Sequence, residues 1–279
     1  MTTLTADTAP VVKPRKEKPR LGDRLLFFYT WAIIIWLCLP IGVMILFGFN
    51  NAPGTGRINY TWKGFTLRWY QHLFDDPALG DSIKASLIIA VVATIIATVL
   101  GTLIGLALGK YRFRGQGTVN LVQFAAISSP EIVMGTSLVA LFVQLGTGFG
   151  YATIIIAHVM FSLSFVAVTV RSRVLTLDPA LDEAARDLGA GPFSTFRLVT
   201  LPMIMPGVIA GALLAFALSI DDFIITNFTA GKISTFPLWI WATQKNGVPP
   251  TVNVMGTIIF AVGLVFAGIS ALTARRRDV

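Results

Sequence analysis

The sequence has few of the side chains from which metal and redox sites are built. Its single cysteine, Cys38, has no partner for an intramolecular disulfide, and there are only two histidines. His158 lies in the apolar run IIIAHVMFSLSF with no second His and no Cys nearby. We therefore expect His158 to hydrogen-bond to a neighbouring helix rather than to bind a metal, and we expect no metal site.

Charge is also scarce, since charged residues make up 13% of the chain against 54% for hydrophobic residues. This composition excludes an ordinary soluble domain and indicates a membrane protein. A hydrocarbon core of about 30 Å takes roughly 20 helical residues to cross, and several apolar stretches are that long. The sequence thus predicts an all-α polytopic membrane protein with six transmembrane helices, near residues 27–49, 83–109, 119–145, 150–170, 204–226 and 251–273.

The basic residues are distributed unevenly about these spans. Sixteen Lys and Arg fall on one side and six on the other, which predicts that both termini are cytoplasmic. Residues 1–26 form a basic cytoplasmic tail, and residues 27–279 form the membrane domain. The first span lacks a small-residue cleavage site, so we expect an uncleaved anchor. The net charge of +8 fits anionic lipid and requires no nucleic acid.

The chain lacks a nucleotide-binding loop. Gly101, Gly105 and Gly109 recur every four residues in the second span, which predicts one helix face that a neighbouring helix can approach closely. Lys110 after Gly109 is followed by Tyr111, where a phosphate loop requires Ser or Thr. We therefore expect no ATP site in this chain.

The inner segment between the fourth and fifth spans, about residues 171–202, carries two helix signatures in succession. Asp178 is a good N-cap and Pro179 suits the first helical position. Gly189 suits a left-handed position after the helix. Pro192 is expected to open a second short helix that ends before Leu201-Pro202. The prediction is a helix, a tight turn and a helix on the cytoplasmic face.

The same segment contains a spaced motif. It comprises Glu183-Ala184-Ala185, three residues, Gly189, nine residues, Val199, one residue and Leu201-Pro202. This motif is similar to the signature loop of ABC importer permeases, with Val199 standing where Ile is usual. The stretches SPEIVMGTSL, SIDDFIITNFTAG and GVPPTVN also resemble the spermidine/putrescine permease subunits of the type I importer family, and are close to the second subunit type. The resemblance extends along nearly the whole chain.

The resemblance implies the type I ABC importer permease fold in a bacterial inner membrane. It implies a second, similar permease, two ATPase subunits and an extracytoplasmic solute-binding protein as partners. ATP and Mg would be bound by the ATPase, so this chain would be a transport subunit and not an enzyme. A coupling helix would dock in a groove on the ATPase, through motif residues that comprise Glu183, Ala184, Ala185, Gly189, Leu201 and Pro202.

Three acids fall inside the predicted spans. At 1.5 Å per residue, Glu131 lies roughly 18 Å and Asp221 roughly 22 Å from the cytoplasmic end of its span. Intramembrane acids usually face a cavity or a bundle interior. Asp221 and Asp222 would lie about 100° apart on a helix, so we expect Asp221 to face the path and Asp222 to cap or pair. Pro130 is expected to kink the third span beside Glu131.

A carboxylate-lined path without intramembrane Lys or Arg favours a cationic solute. The sequence and the resemblance together predict a path for a polyamine, spermidine or putrescine, lined by Glu131, Asp221 and Asp222. Trp239 and Trp241 could add cation-π contacts, although interfacial anchoring is the commoner role. Two alternatives remain: the same class with another solute, such as ferric iron, thiamine or an amino-acid derivative, and a proton-coupled secondary transporter.

Overall fold

The computed structural model describes residues 21–52, 61–244 and 249–275. Nearly all of these residues are helical, and most of the predicted tail, residues 1–26, lies outside them. The helices are α1 (Leu21–Gly48), α2 (Arg68–Gln71), α3 (Pro77–Lys110), α4 (Gln116–Ser128), α5 (Glu131–Gln144), α6 (Tyr151–Val174), α7 (Ala180–Asp187), α8 (Pro192–Thr195), a π-helical turn (Phe196–Thr200), α9 (Leu201–Ile220), α10 (Ile224–Thr229), α11 (Phe236–Gln244) and α12 (Pro250–Arg275).

The described helices confirm an all-helical membrane protein. Four are long and apolar enough to span a membrane: α1, α3, α6 and the continuous stretch Pro192–Ile220. The pair α4 and α5 would make a fifth span if the two are counted together. The apolar part of α12, Pro250–Val265, is shorter. The described residues therefore give four or five spans by this measure, against the six that the sequence predicts.

The third predicted span, 119–145, is broken rather than merely kinked. Helix α4 ends at Ser128 and α5 begins at Glu131, with an angle of 108° between them. Ser129 and Pro130 between them have extended backbone, with ψ of 131° at both residues. Proline has no N–H and disfavours helical geometry in the residue before it, so both residues leave the helix. Glu131 consequently starts a helix instead of lying in the middle of one.

The fifth predicted span, 204–226, also ends earlier than expected. Helix α9 stops at Ile220 and a separate helix, α10, starts at Ile224. The Asp222 carboxylate accepts a hydrogen bond from the Thr226 amide at 2.7 Å. Aspartate competes for backbone N–H groups in this way, and the bond favours a new helix start over continuation. The two aspartates therefore lie in a helix break, and the assumption of a 100° separation on one helix was wrong.

A third difference concerns the end of the inner segment. The helix that opens at Pro192 does not end before Leu201-Pro202, as the sequence predicts, but continues into α9 through the π-helical turn. Within this turn the Leu201 N–H donates to the Phe196 carbonyl, five residues earlier. The wider turn admits Pro202, which has no N–H to offer the preceding turn. Leu201 and Pro202 therefore lie inside one continuous helical stretch, at the start of α9, instead of following a separate cytoplasmic helix.

The chain divides into two compact units, of which the first contains α1, α2 and α12. Asn50 at the end of α1 is 1% exposed and organises this unit. Its amide nitrogen donates to the Thr61 carbonyl at 2.9 Å, and its amide oxygen accepts from the Lys63 N–H at 2.7 Å. The Trp69 indole N–H donates to the Asn50 carbonyl at 3.0 Å. The buried Asn50 thus joins the segment after α1 to α2, through its side-chain amide and its backbone carbonyl.

The second unit contains α3 to α11, and its centre is the packing of α3 against α6 and α9. The predicted glycine face of α3 makes this contact. A Cβ atom built at Gly101 would lie 2.7 Å from the Val166 Cβ, and one at Gly105 would lie 2.7 Å from the Ala167 carbonyl oxygen. Backbones can approach this closely only where no side chain intervenes. The prediction of a close helix contact at these glycines is confirmed.

We expect Gly105→Ala to destabilise the protein by about 1 to 3 kcal/mol, because the added methyl group meets backbone, which cannot rotate away. Gly80→Ala is the matched control, since a Cβ at Gly80 of the same helix meets nothing within 4 Å. The measurement is thermal unfolding of the purified chain in detergent. Equal melting temperatures for the two variants would contradict the packing role of Gly105.

Candidate functional site

The three predicted path acids come together at two helix breaks. Glu131 is the first residue of α5, and Asp221 and Asp222 lie between α9 and α10. Helix α10 packs on α5 so closely that a Cβ atom built at Gly135 would lie 2.6 Å from the Phe228 ring. The acids thus lie at the ends of two helices that pack on each other, since Asp221 and Asp222 directly precede α10 and Glu131 opens α5. The packing of α10 on α5 therefore gathers the acids into one cluster.

The acids differ in accessibility. Asp221 is exposed, Glu131 is half-buried and Asp222 is buried. Because like charges repel at short range, a cluster with two accessible carboxylates attracts a cation. Asp221 and Glu131 are the two carboxylates that a passing solute could contact.

Asp222 is held inside the protein by a polar network with His158. The Asp222 Oδ2 atom accepts hydrogen bonds from the Thr226 N–H and hydroxyl, both at 2.7 Å, and lies 3.4 Å from the His158 Nε2. The Thr226 hydroxyl donates its one proton to Asp222, so towards His158 its oxygen can only accept. The Nε2–H of His158 therefore donates to the Thr226 oxygen at 2.9 Å. The Ser219 hydroxyl lies 2.7 Å from the other ring nitrogen, Nδ1. Each of the two ring nitrogens thus has a hydroxyl partner.

The network bears on both expectations for these residues. As expected, His158 hydrogen-bonds to neighbouring helices. Asp222 accepts from Thr226 at the start of α10 and lies beside His158. The sequence did not indicate that His158 belongs to the site, yet its Nε2 lies 3.4 Å from the carboxylate of Asp222, one of the three acids. An isolated intramembrane histidine was the available signal, because such residues generally have a polar partner in the bundle.

Two aromatic rings flank the acids. Phe223 follows Asp222 in the chain, and its ring lies 5.1 Å from the ring of Trp241 at a 47° angle. Trp241 is 53% exposed, whereas Trp239 is 7% exposed and stacks on Phe236. Trp239 is therefore a packing residue and not the interfacial anchor that was its expected role. Trp241 is the tryptophan of the two that a solute or lipid can reach.

The predicted coupling segment has the expected local geometry. The Asp178 carboxylate accepts a hydrogen bond from the Ala180 N–H at 2.9 Å, at the start of α7. Gly189 follows α7 with φ of +83°, a left-handed conformation that glycine adopts without strain. Glu183 and Ala184 are exposed and Ala185 is buried. Helix α7 thus shows two of the three motif residues to solvent.

An ion pair fixes the inner face of α7. The Lys110 ammonium at the end of α3 contacts the Asp182 carboxylate, and both side chains are largely buried. Burial alone would raise the pKa of the Asp182 carboxyl, but the hydrogen bond and charge of Lys110 outweigh it and lower that pKa below its ordinary 3.8. A carboxyl with a lowered pKa stabilises the fold at any pH above the pKa that it has in the unfolded chain. This stabilisation is lost as the pH falls through the pKa that it has in the folded chain. The pair is therefore intact at neutral pH.

The fold and these two sites define a membrane subunit of a solute importer. The chain belongs to the family of binding-protein-dependent transport system inner membrane components, which matches residues 101–279. Within that class it is similar to the spermidine/putrescine transport system permease protein PotC of Escherichia coli strain K12, with 40% identity over 256 residues, 91% of this chain and 96% of that protein. The putrescine transport system permease protein PotI of the same strain is 37% identical over 250 residues, 84% of this chain and 88% of that protein.

A solved structure confirms the fold. A crystal structure of a bacterial ABC transporter involved in the import of the acidic polysaccharide alginate matches with a TM-score of 0.67. The match covers 92% of this chain and 99% of that one at 16% identity. The expected ABC importer permease fold is thus confirmed.

Proposed function

We propose that this chain provides the translocation path of an ATP-driven importer for a polyamine, spermidine or putrescine. It works in the bacterial inner membrane with both termini in the cytoplasm. It pairs with a second, similar permease and receives solute from an extracytoplasmic binding protein. Two separate ATPase subunits bind ATP and Mg and hydrolyse the nucleotide, while this chain contributes the path and the coupling helix.

The cluster of Glu131, Asp221 and Asp222 is the observation that carries the substrate class. The predicted spans 119–145 and 204–226, which hold these acids, contain no Lys or Arg. An anion would meet repulsion there, whereas an ammonium group would gain two accessible carboxylates. The exposed ring of Trp241 adds a surface for the ammonium or methylene groups of a polyamine. The similarity to PotC, a spermidine/putrescine permease, and to PotI, a putrescine permease, supports the same class.

The substrate is tested by competition in proteoliposomes that contain the complete importer. Uptake of radiolabelled spermidine should fall when unlabelled putrescine is in excess and remain unchanged with excess thiamine or ferric iron. Transport of thiamine or ferric iron in place of polyamine would contradict the substrate and retain the importer class.

Helix α7 is proposed to dock on the ATPase through Glu183, Ala184, Ala185 and Gly189, with Leu201 and Pro202 starting the membrane helix behind it. Small alanines permit close helix approach, and an exposed Glu183 offers a charge to a basic groove. The left-handed Gly189 turns the chain sharply after the helix. Movement of the ATPase would then displace α7 first.

We expect Glu183→Lys to reduce the amount of ATPase that co-purifies with the chain by about tenfold, because it reverses the charge in this contact. Asp81→Lys is the control, since it reverses an exposed charge near the start of α3, away from α7. Wild-type recovery of the ATPase with Glu183→Lys would remove this residue from the docking surface.

A further inference from the structure

The link between the coupling helix and the membrane helices is a small polar cluster. The Lys110 ammonium contacts Asp182 Oδ2 and also donates to the Thr200 hydroxyl at 3.4 Å. The Thr200 hydroxyl in turn donates to Asp182 Oδ1 at 3.1 Å. Each residue touches the other two, so the cluster is closed. We call Lys110, Asp182 and Thr200 the coupling clamp.

The three residues come from three different elements. Lys110 is the last residue of α3, Asp182 lies on α7, and Thr200 closes the π-helical turn that leads into α9. Thr200 is 3% exposed, and the other two side chains are 26% and 21% exposed. The cluster is therefore partly shielded from water, and a charge-assisted bond in such a place is stronger than one at the surface.

Helix α7 has little else to hold it to the membrane helices. Its close backbone neighbours are α8 and the π-helical turn, which follow it in the chain. Most of its side chains are exposed, and Ala185 is its buried residue. The contact from Asp182 to Lys110 therefore gives α7 a direct attachment to α3, a helix that is distant in the sequence.

Helix α3 is well placed to pass on a movement. It packs along α6 through its glycine face and also contacts α9. Close-packed interiors have low compressibility and transmit strain from one helix to the next. A displacement of the end of α3 would therefore move α6 and α9, and α9 ends at the break that holds Asp221 and Asp222.

We propose that the coupling clamp is the transmission element of this permease, in which Lys110, Asp182 and Thr200 act as positioning residues that convert movement of α7 into movement of α3 and α9. The proposal rests on the proposed docking of an ATPase at α7. The clamp does not bind the ATPase or the solute. It couples ATP hydrolysis by the ATPase to transport of the solute. Loss of the clamp should leave ATP hydrolysis in place and disconnect it from transport.

The test measures solute uptake and ATP hydrolysis together in proteoliposomes with the complete importer and its binding protein. For Lys110→Met and Asp182→Asn we expect the uptake per ATP hydrolysed to fall by about tenfold, with ATP hydrolysis retained and the ATPase still bound. Lys110→Arg keeps the charge and should keep coupling. Arg112→Met is the matched control, since it removes an exposed charge two residues from Lys110. It should behave as the wild type.

Other outcomes distinguish a failure of the coupling clamp from a failure of the proposed ATPase docking. A wild-type ratio of uptake to hydrolysis in both variants would overturn the clamp, and so would loss of ATPase binding, because the cluster would then serve docking alone. If Lys110→Met does not assemble, Thr200→Val decides: partial uncoupling supports the clamp and full coupling overturns it. Failure of the wild-type chain to bind an ATPase would instead refute the proposed function.

Discussion

Asp221→Asn is expected to abolish most uptake while the chain still assembles with its ATPase. The carboxylate is exposed in the break between α9 and α10, so its charge is available to an ammonium group on the solute. A hydrogen bond to a charged group contributes about 1.5 to 3 kcal/mol, which corresponds to roughly a 10- to 150-fold loss of affinity. Radiolabelled polyamine uptake measures the effect, and ATPase co-purification measures assembly.

Two companion variants sharpen this prediction. Asp221→Glu retains the charge and should restore much of the uptake. Glu131→Gln should also impair uptake, with a smaller effect because Glu131 is less accessible than Asp221. Wild-type uptake by both Asp221→Asn and Glu131→Gln would remove these residues from the path.

The second large effect is expected from the buried pair beneath the path. The side chains of His158 and Asp222 are 3% and 4% exposed, so water cannot replace a lost partner. His158→Leu would leave the Thr226 and Ser219 hydroxyls without their ring partner beside the buried Asp222 carboxylate and should destabilise the chain by about 1 to 3 kcal/mol. Thermal unfolding of the purified complex measures the loss.

A double variant distinguishes a lost pair from simple damage to packing. In His158→Leu with Asp222→Asn, the neutral amide oxygen can still accept the Thr226 N–H, and no buried charge remains. The double variant should therefore lose less stability than the sum of the two single variants. Additive losses would contradict the coupling between His158 and Asp222.

Local features of the site could be read from the sequence. The Asp178 side chain that caps α7, the left-handed Gly189 and the glycine face of α3 each depend on residues a few positions apart. Such signals survive folding because neighbouring residues along the chain meet whatever the tertiary structure is. The start of the coupling segment, its turn at Gly189 and the glycine face of α3 were therefore predictable, whereas the continuation of its second helix into α9 was not.

The breaks at the acids were not predictable to the same degree. The sequence indicated a kink at Pro130, whereas the size of the bend, 108°, depends on how α5 packs against α10. The end of α9 at Ile220 depends on Asp222 being held by Thr226 and by His158 from α6, a residue that is distant in the sequence. Lys110 and Asp182 likewise meet only in the folded chain. Pairs of this kind have no spacing signature.

An uptake measurement with a choice of energy source distinguishes an ATP-driven importer from a proton-coupled transporter. Proteoliposomes with this chain, its companion permease, the ATPase and the binding protein are given radiolabelled spermidine, with ATP on the ATPase side or with a proton gradient in its place. For an ATP-driven importer we expect uptake that requires ATP and the ATPase and that persists when the proton gradient is collapsed. Uptake driven by a proton gradient alone, with no ATPase bound, would contradict it and would identify the acids as a proton relay.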